Sequence, residues 1–186
     1  MTDHPQELDA LTGSLTRPSF LARLEDATRR AGASGATLCV CLVDVDSLKS
    51  VNDRHGLQTG DTVLAALANR LRATLAEPGW HRMQHVLARY DGDALIVLAE
   101  PCELRAGEQL AEALRFHVAA APLHASVGIT VSIGVAQFRI GESIDELLAR
   151  VERTLHVAKQ FGRDRVEVAE TPASKRARAY TKKLRD

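Results

Sequence analysis

The run Thr37-Leu38-Cys39-Val40-Cys41-Leu42-Val43 is apolar or β-branched at every position. A strand with one wet face alternates; a continuous run of this length reads as a strand covered on both faces and therefore central in its sheet. Such a strand needs helices on both sides, which the rest of the chain must supply. The run ends in Asp44-Val45-Asp46. Unpaired carboxylates behind a buried strand are costly to keep charged. On spacing alone two readings stand: these acids bind something, or they cap the turn that follows.

The flanking segments carry helical signals. Leu11 to Pro18 reads as a turn into a helix start, with Thr16 as N-cap and Pro18 in the first turn, and the helix is expected to reach about Arg30, before Gly32, Ser34 and Gly35. Ser47 to His55 reads as a short polar helix, and Gly56 to Asp61 as a loop ending in an Asp61 N-cap. Val63, Leu67, Leu71 and Leu75 then form an apolar stripe at helical spacing, giving a helix over Asp61–Ala76 that Pro78-Gly79 stops. A further helix is expected over Gly107–Ala120, with Leu110, Ala113, Leu114 and Val118 inward. Ser143 and Glu146 form a capping box for a helix through Phe161, closed by Gly162.

Between these helices lie further strands. Ala88 to Leu98 is an apolar segment broken by Asp91-Gly92, a pair in which both residues tolerate positive φ; this predicts a hairpin of Val86–Tyr90 and Ala94–Leu98 with Asp91 and Asp93 at its tip. Ile129–Ala136 alternates with period two, and Arg165–Val168 reads as a last short strand. Strands alternating with helices, plus one hairpin, imply an α/β sandwich around a mixed sheet. If the strand ending at Asp44 neighbours the hairpin, Asp44 and Asp93 converge, as a divalent cation bridging phosphates would require.

At 186 residues and 45% hydrophobic, the chain suffices for one well-buried core and is short for two. Its formal charge is zero, yet Lys175, Arg176, Arg178, Lys182, Lys183 and Arg185 crowd the end, so the body before them is acidic and no nucleic-acid-binding face is expected. No apolar run approaches a membrane span and the N-terminus lacks the features of a signal peptide, so a cytoplasmic protein without a transmembrane segment is expected. Cys39 and Cys41 share a strand face and Cys102 stands apart, which reads as three reduced thiols. Residues 1–8 form a lead, 9–169 the domain, and 170–186 a basic tail, solvated and disordered by composition; an acidic partner or anionic lipid is its other reading. Only eight residues precede Asp9, so no sensor or dimerising coil is expected within this chain.

Taken together, Asp9-Ala10-Leu11-Thr12-Gly13, the stretch Asp44 to Asp53, Gly56 with Gly60-Asp61, the hairpin, Val131-Ser132-Ile133-Gly134-Val135, and Ala158 to Arg165 resemble, in order, the motifs of the GGDEF or diguanylate cyclase domain family. That resemblance implies a GGDEF-type fold related to nucleotidyl cyclases and polymerase palms: a central mixed β-sheet, a β-hairpin carrying the signature turn, and surrounding helices. It implies condensation of two GTP to cyclic di-GMP with Mg²⁺ or Mn²⁺, one GTP per domain of a homodimer. Carried over, Asp44, the Val45 carbonyl and Asp93 would hold metal, Asn52 and Asp61 would read guanine, and Lys159 and Arg163 would hold phosphates. Hard carboxylate oxygens suit Mg²⁺, a carboxamide and a carboxylate can pair with the guanine edge, and cations neutralise phosphate. Without the motif order, Asp61 is a helix cap, Asn52 a turn former, and Lys159 and Arg163 are cations at a helix end.

The departures gather at the hairpin, where Asp91-Gly92-Asp93-Ala94-Leu95 replaces Gly-Gly-Asp/Glu-Glu-Phe. Ala94 lacks the carboxylate that the resemblance makes necessary for turnover. Asp91 adds bulk and charge where a glycine lets backbone approach the nucleotide; a like charge 4 Å away is worth about 4 kcal/mol at an effective dielectric near 20. Asp91 reaching the metal in place of the lost carboxylate is the compensating alternative. The product-inhibition site, Arg-x-x-Asp in the family, reads Arg82-Met83-Gln84-His85, which keeps only the arginine. Leu57, Leu48 and His156 depart from the family's His, Phe and Tyr. The expectation is a catalytically impaired regulatory module that binds GTP or a protein partner in cyclic di-GMP signalling. A weak diguanylate cyclase and a ligand-free scaffold or dimerisation domain are the alternatives.

Overall fold

The computed structural model describes residues 7–125 and 127–169; the basic tail lies outside them. Five strands form one mixed sheet in the order β2-β3-β1-β4-β5. β1 (Cys39–Val45) lies in the middle and is buried at every residue, as its apolar run requires. It runs antiparallel to both neighbours, β3 (Ala94–Glu100) and β4 (Val131–Gln137). β2 (Gln84–Asp91) closes the hairpin with β3, and β5 (Val166–Val168) adds the one parallel pairing, beside β4.

Helices cover both faces. α1 (Arg17–Ser34) and α5 (Ile144–Gln160) pack Phe20, Leu24, Leu147 and Val151 against Val40, Leu42 and Ile96. On the other face α3 (Leu57–Leu75) and α4 (Leu104–Ala119) pack Leu67, Leu71, Leu110 and Leu114 against Cys41, Val43 and Val97. The short α2 (Leu48–His55) leads from the end of β1 into α3. The α5 capping box forms as expected, with Ser143 accepting from the Glu146 N–H. Gly134 allows α5 to lie directly on β4: a Cβ there would meet Leu155 N at 2.5 Å and Val151 O at 2.6 Å.

Several boundaries move. α1 runs past Arg30 and through the open Gly32, ending where Gly35 turns left-handed at φ 75. β1 extends two residues beyond Val43, so Asp44 is a strand residue paired with Ala94 and Ser132. Asp61 is not an N-cap: Gly56, at φ 85, turns the chain in one residue, α3 starts at Leu57, and Asp61 sits in its second turn. The hairpin turn is Gly92-Asp93, with Asp91 still in the ladder opposite Ala94 beyond an irregularity after Arg89, and only Gly92 takes positive φ. In α4 the buried alanine is Ala111, beside Leu110, Leu114 and Val118, while Ala113 is half-buried. Cys102 does not stand apart; the Cys39 thiol donates to its carbonyl at 3.3 Å, and all three cysteines are free and buried.

Candidate functional site

The carboxyl end of β1, the hairpin turn and the last turn of α5 meet at one corner of the sheet. Val40, Leu42 and Asp44 share the β1 face covered by α1 and α5, because side chains alternate along a strand. Asp44 is only 6% exposed. Lys159 descends from α5 to place Nζ 2.7 Å from its Oδ1. Burial pushes the Asp44 carboxyl above its ordinary range; the Lys159 hydrogen bond and charge pull it back, while the charges of Asp93 and Asp46 add to the rise. Asp44 and Asp93 therefore do converge, and Lys159 is drawn to the same point.

That corner fits a magnesium or manganese ion in donor chemistry. Two carboxylates and the adjacent Val45 carbonyl are hard oxygens, and Mg²⁺ is commonly held by one or two carboxylates together with substrate phosphates. Among the described residues no group of three or more His, Cys, Asp or Glu side chains gathers around a metal position. Ala94, in direct register with Asp44, is packed among apolar side chains. Asp91 is exposed, and the charges acting on Asp44 are those of Lys159, Asp93 and Asp46.

A second structure forms at the α2–α3 elbow. The Asn52 carbonyl accepts the Gly56 N–H at 2.8 Å, and its side chain lies flat on Gly60: a Cβ there would fall 1.8 Å from Asn52 Oδ1. That Oδ1 is buried and accepts no hydrogen bond. A buried acceptor without a partner is rare and marks a place where a donor belongs. Asp61, exposed, follows Gly60 along α3. Arg163 sits in the turn after α5, at φ 63, and lines an open cleft of ≈ 430 Å³ with Asp46, Ser47, Thr130 and Asp164.

The two acids ending β1 separate in role. Asp46 accepts from Thr130 Oγ1 at 2.7 Å, Ser132 Oγ at 2.6 Å and the Asp164 N–H at 3.0 Å. Neither acid is an N-cap; Ser47 holds that position, left-handed and without a side-chain bond. The hydroxyls at 130 and 132 are polar positions in or just before the alternating β4 segment, which was the available sign of this cluster. Nothing in the spacing pointed to Gly60 supporting Asn52, or to Lys159 contacting Asp44.

Arg82 and His85 lie at the opposite end of the hairpin, where Gln84 pairs with Glu100. Arg82 is exposed in the turn before β2. His85 is half-buried with Nε2 unpartnered, and burial pushes its imidazole pKa down. A neutral ring there does not supply the negative charge of an aspartate.

Compared with known proteins, residues 6–165 match the model of the family described as diguanylate cyclase, GGDEF domain. The chain is 37% identical over 164 residues to the diguanylate cyclase DgcP of Pseudomonas aeruginosa, covering 87% of this chain and 24% of that protein. It is 35% identical over 167 residues to diguanylate cyclase DgcM of Escherichia coli, covering 90% and 39%. It thus spans 24% and 39% of the length of these relatives. The GGDEF domain of DgcB from Caulobacter crescentus, solved in complex with c-di-GMP, superposes with a TM-score of 0.80 at 29% identity over 92% of this chain and 99% of that one. The diguanylate cyclase SiaD of Pseudomonas aeruginosa, solved with its activator SiaC, gives 0.80 at 29% identity over 87% and 61%. Among the described residues no helix is long and apolar enough to cross a membrane.

Proposed function

The chain belongs to the diguanylate cyclase GGDEF domain family, and we propose that it acts in cyclic di-GMP signalling as a nucleotide-binding regulatory module whose cyclase turnover is lost. The observation that carries this reading is the pairing of Ala94 with Asp44. A methyl group stands in register with the metal-binding carboxylate, and the exposed Asp91 is not among the charges that act on that carboxylate. Retention is on the binding side: Asn52 and Asp61 stand at the elbow, and Lys159 and Arg163 provide two cations for phosphates.

In this reading Asp44, Asp93 and the Val45 carbonyl hold Mg²⁺ or Mn²⁺, which when bound neutralises triphosphate charge. Lys159, whose Nζ lies 2.7 Å from Asp44 Oδ1, would stand at the same corner as a cation for the phosphates. Asn52 and Asp61 at the elbow would orient the base. Without the carboxylate that the family needs for turnover, the nucleotide would be held and not consumed. Output then passes through a protein partner, a role for which the SiaD and SiaC pairing offers a family precedent.

Incubation of concentrated protein with GTP and Mg²⁺ or Mn²⁺ is expected to give no cyclic di-GMP, and multiple-turnover product would sink the reading. Calorimetry with GTP is expected to show binding that Asn52→Ala and Asp61→Ala each weaken; silence from the parent removes the nucleotide. A weak cyclase remains the second reading, favoured by the convergence of Asp44 and Asp93, and the same turnover assay separates the two.

A further inference from the structure

The turn that carries Arg163 is held in an uncommon conformation. Gly162, Arg163 and Asp164 all have positive φ, at 111, 63 and 44 degrees, and two of the three are not glycine. Side chains rarely adopt this region, and a run of such residues persists only where surrounding contacts over-determine it. Two hydrogen bonds do so from within: the Arg163 N–H donates to Ala158 O at 3.1 Å, and the Asp164 N–H donates to Asp46 Oδ2 at 3.0 Å.

Asp46 is built for that purpose. It is 8% exposed. Its Oδ1 takes the Ser132 hydroxyl and its Oδ2 takes both the Thr130 hydroxyl and the Asp164 amide, while its own N–H donates to Thr130 O at 2.9 Å. Three donors converge on the two carboxylate oxygens, so the group is committed to the protein. Asp164 is fixed a second time by Arg115 of α4, whose guanidinium lies 2.7 Å from its carboxylate. Arg163, between these anchors, makes no ion pair among the described residues and lines the cleft beside Ser47.

We propose that Asp46 is a positioning residue: it locks the α5–β5 turn to the ends of β1 and β4 and so presents the Arg163 guanidinium to a phosphate group of the nucleotide. The inference rests on the nucleotide-binding reading for its ligand and on the hydrogen-bond geometry for its brace. It assigns the two acids different work, Asp44 toward a cation and Asp46 toward a cationic side chain. Asparagine in place of Asp46 keeps the shape but removes the charge that strengthens all three bonds and leaves one acceptor oxygen where two stood, so the Ser132 hydroxyl must turn to accept and the hold on the turn loosens.

The test is a thermodynamic cycle of Asp46→Asn and Arg163→Ala in the full chain, read by calorimetry with GTP and, separately, with guanosine, which lacks phosphate. Asp46→Asn is expected to weaken GTP about tenfold, to leave guanosine unchanged, and to add nothing in the Arg163→Ala background. Equal losses for GTP and guanosine, or additive losses in the cycle, overturn it. Amide exchange without ligand gives an independent arm: Asp46→Asn should speed exchange at residues 163–165 and leave β1 and β3 protected, and unchanged exchange there overturns the brace. A parent that binds no GTP overturns the functional reading and leaves the brace to the exchange arm alone. If Asp46→Asn does not fold, Thr130→Val deletes one bond to the same carboxylate and carries both comparisons.

Discussion

The α2–α3 elbow and the β2–β3 turn stand at the same end of the molecule and have fared differently. At the elbow the side chain that would meet a base is built into the packing: Asn52 lies on Gly60, and Gly56 sets the angle between the two helices. At the turn a carboxylate supporting catalysis would add nothing to the packing. Ala94 is 8% exposed and packs among apolar side chains, and a carboxylate there would be a like charge opposite the already burdened Asp44. In the proposed reading a methyl there spares the site that repulsion, the familiar opposition between an active centre and stability. Binding geometry that doubles as packing is hard to lose, whereas a catalytic carboxylate that only strains its surroundings is easily lost.

The strongest way to break that comparison is to restore the turn. Ala94→Glu is expected to restore cyclic di-GMP formation from GTP and Mn²⁺ to about a hundredfold or more above the detection limit at which the parent is silent, the scale of a positioned acid–base group. The same variant should lose about 1–2 kcal/mol of stability in a urea titration, since it buries a second charge beside Asp44. Turnover that does not rise would mean that the elbow or the phosphate cations, and not Ala94, limit the chemistry.

Next in size is a break at the elbow. Gly60→Ala places a Cβ where the Asn52 amide now lies, and the atoms it meets are the end of a side chain and not backbone. The fold should therefore survive with little loss, while Asn52 swings away and GTP affinity falls about tenfold to a hundredfold, the range for a buried hydrogen bond left unmade. Gly134→Ala is the counter-experiment. There the obstructing atoms are the α5 backbone, so stability itself should drop, by about 3 kcal/mol. Thermal melts read beside calorimetry distinguish the two.

What could be read beforehand divides along the same line. The central strand, the faces of α3 and α5 and the convergence of Asp44 with Asp93 follow from periodicity and from the motif order, because burial on a sheet or helix is written into side-chain alternation. Two of the misplaced positions are set by one backbone angle each: Gly56 at φ 85 abolishes the loop expected before Asp61, and Gly92 moves the hairpin turn by one residue. Contacts between distant segments, such as Lys159 on Asp44 or Asp164 on Asp46, leave no periodic trace and become visible only once the strands are assembled.

Asp91 sharpens the comparison more gently. It is exposed at the end of β2, so solvent screens its charge, and a surface charge contributes up to about 1 kcal/mol. Asp91→Gly is accordingly expected to strengthen GTP binding by less than about tenfold in calorimetry, well short of the gain a buried like charge would yield. A larger gain would show that the turn closes on the nucleotide.

The smallest effect concerns what holds the turn from outside. Arg89 donates to Gly92 O through Nε at 3.1 Å and Nη2 at 2.8 Å, and pairs with Asp9 at 3.2 Å. Burial raises the Asp9 carboxyl, but the hydrogen bonds from Thr12 and the Arg89 charge outweigh it and hold the carboxyl below its ordinary range. A carboxylate with a lowered folded pKa contributes stability that is fully present above its unfolded value, near 3.9, and is lost as pH falls through the folded one. Asp9→Asn should thus cost about 1 kcal/mol in urea titrations at pH 7, with the gap to the parent closing in acid below the usual carboxylate range. Amide exchange should quicken at Gly92 and Asp93 and not at Asn52, because the brace serves the turn and the elbow is held by its own packing. A gap that persists undiminished in acid would place the contribution of Asp9 in shape and not in charge.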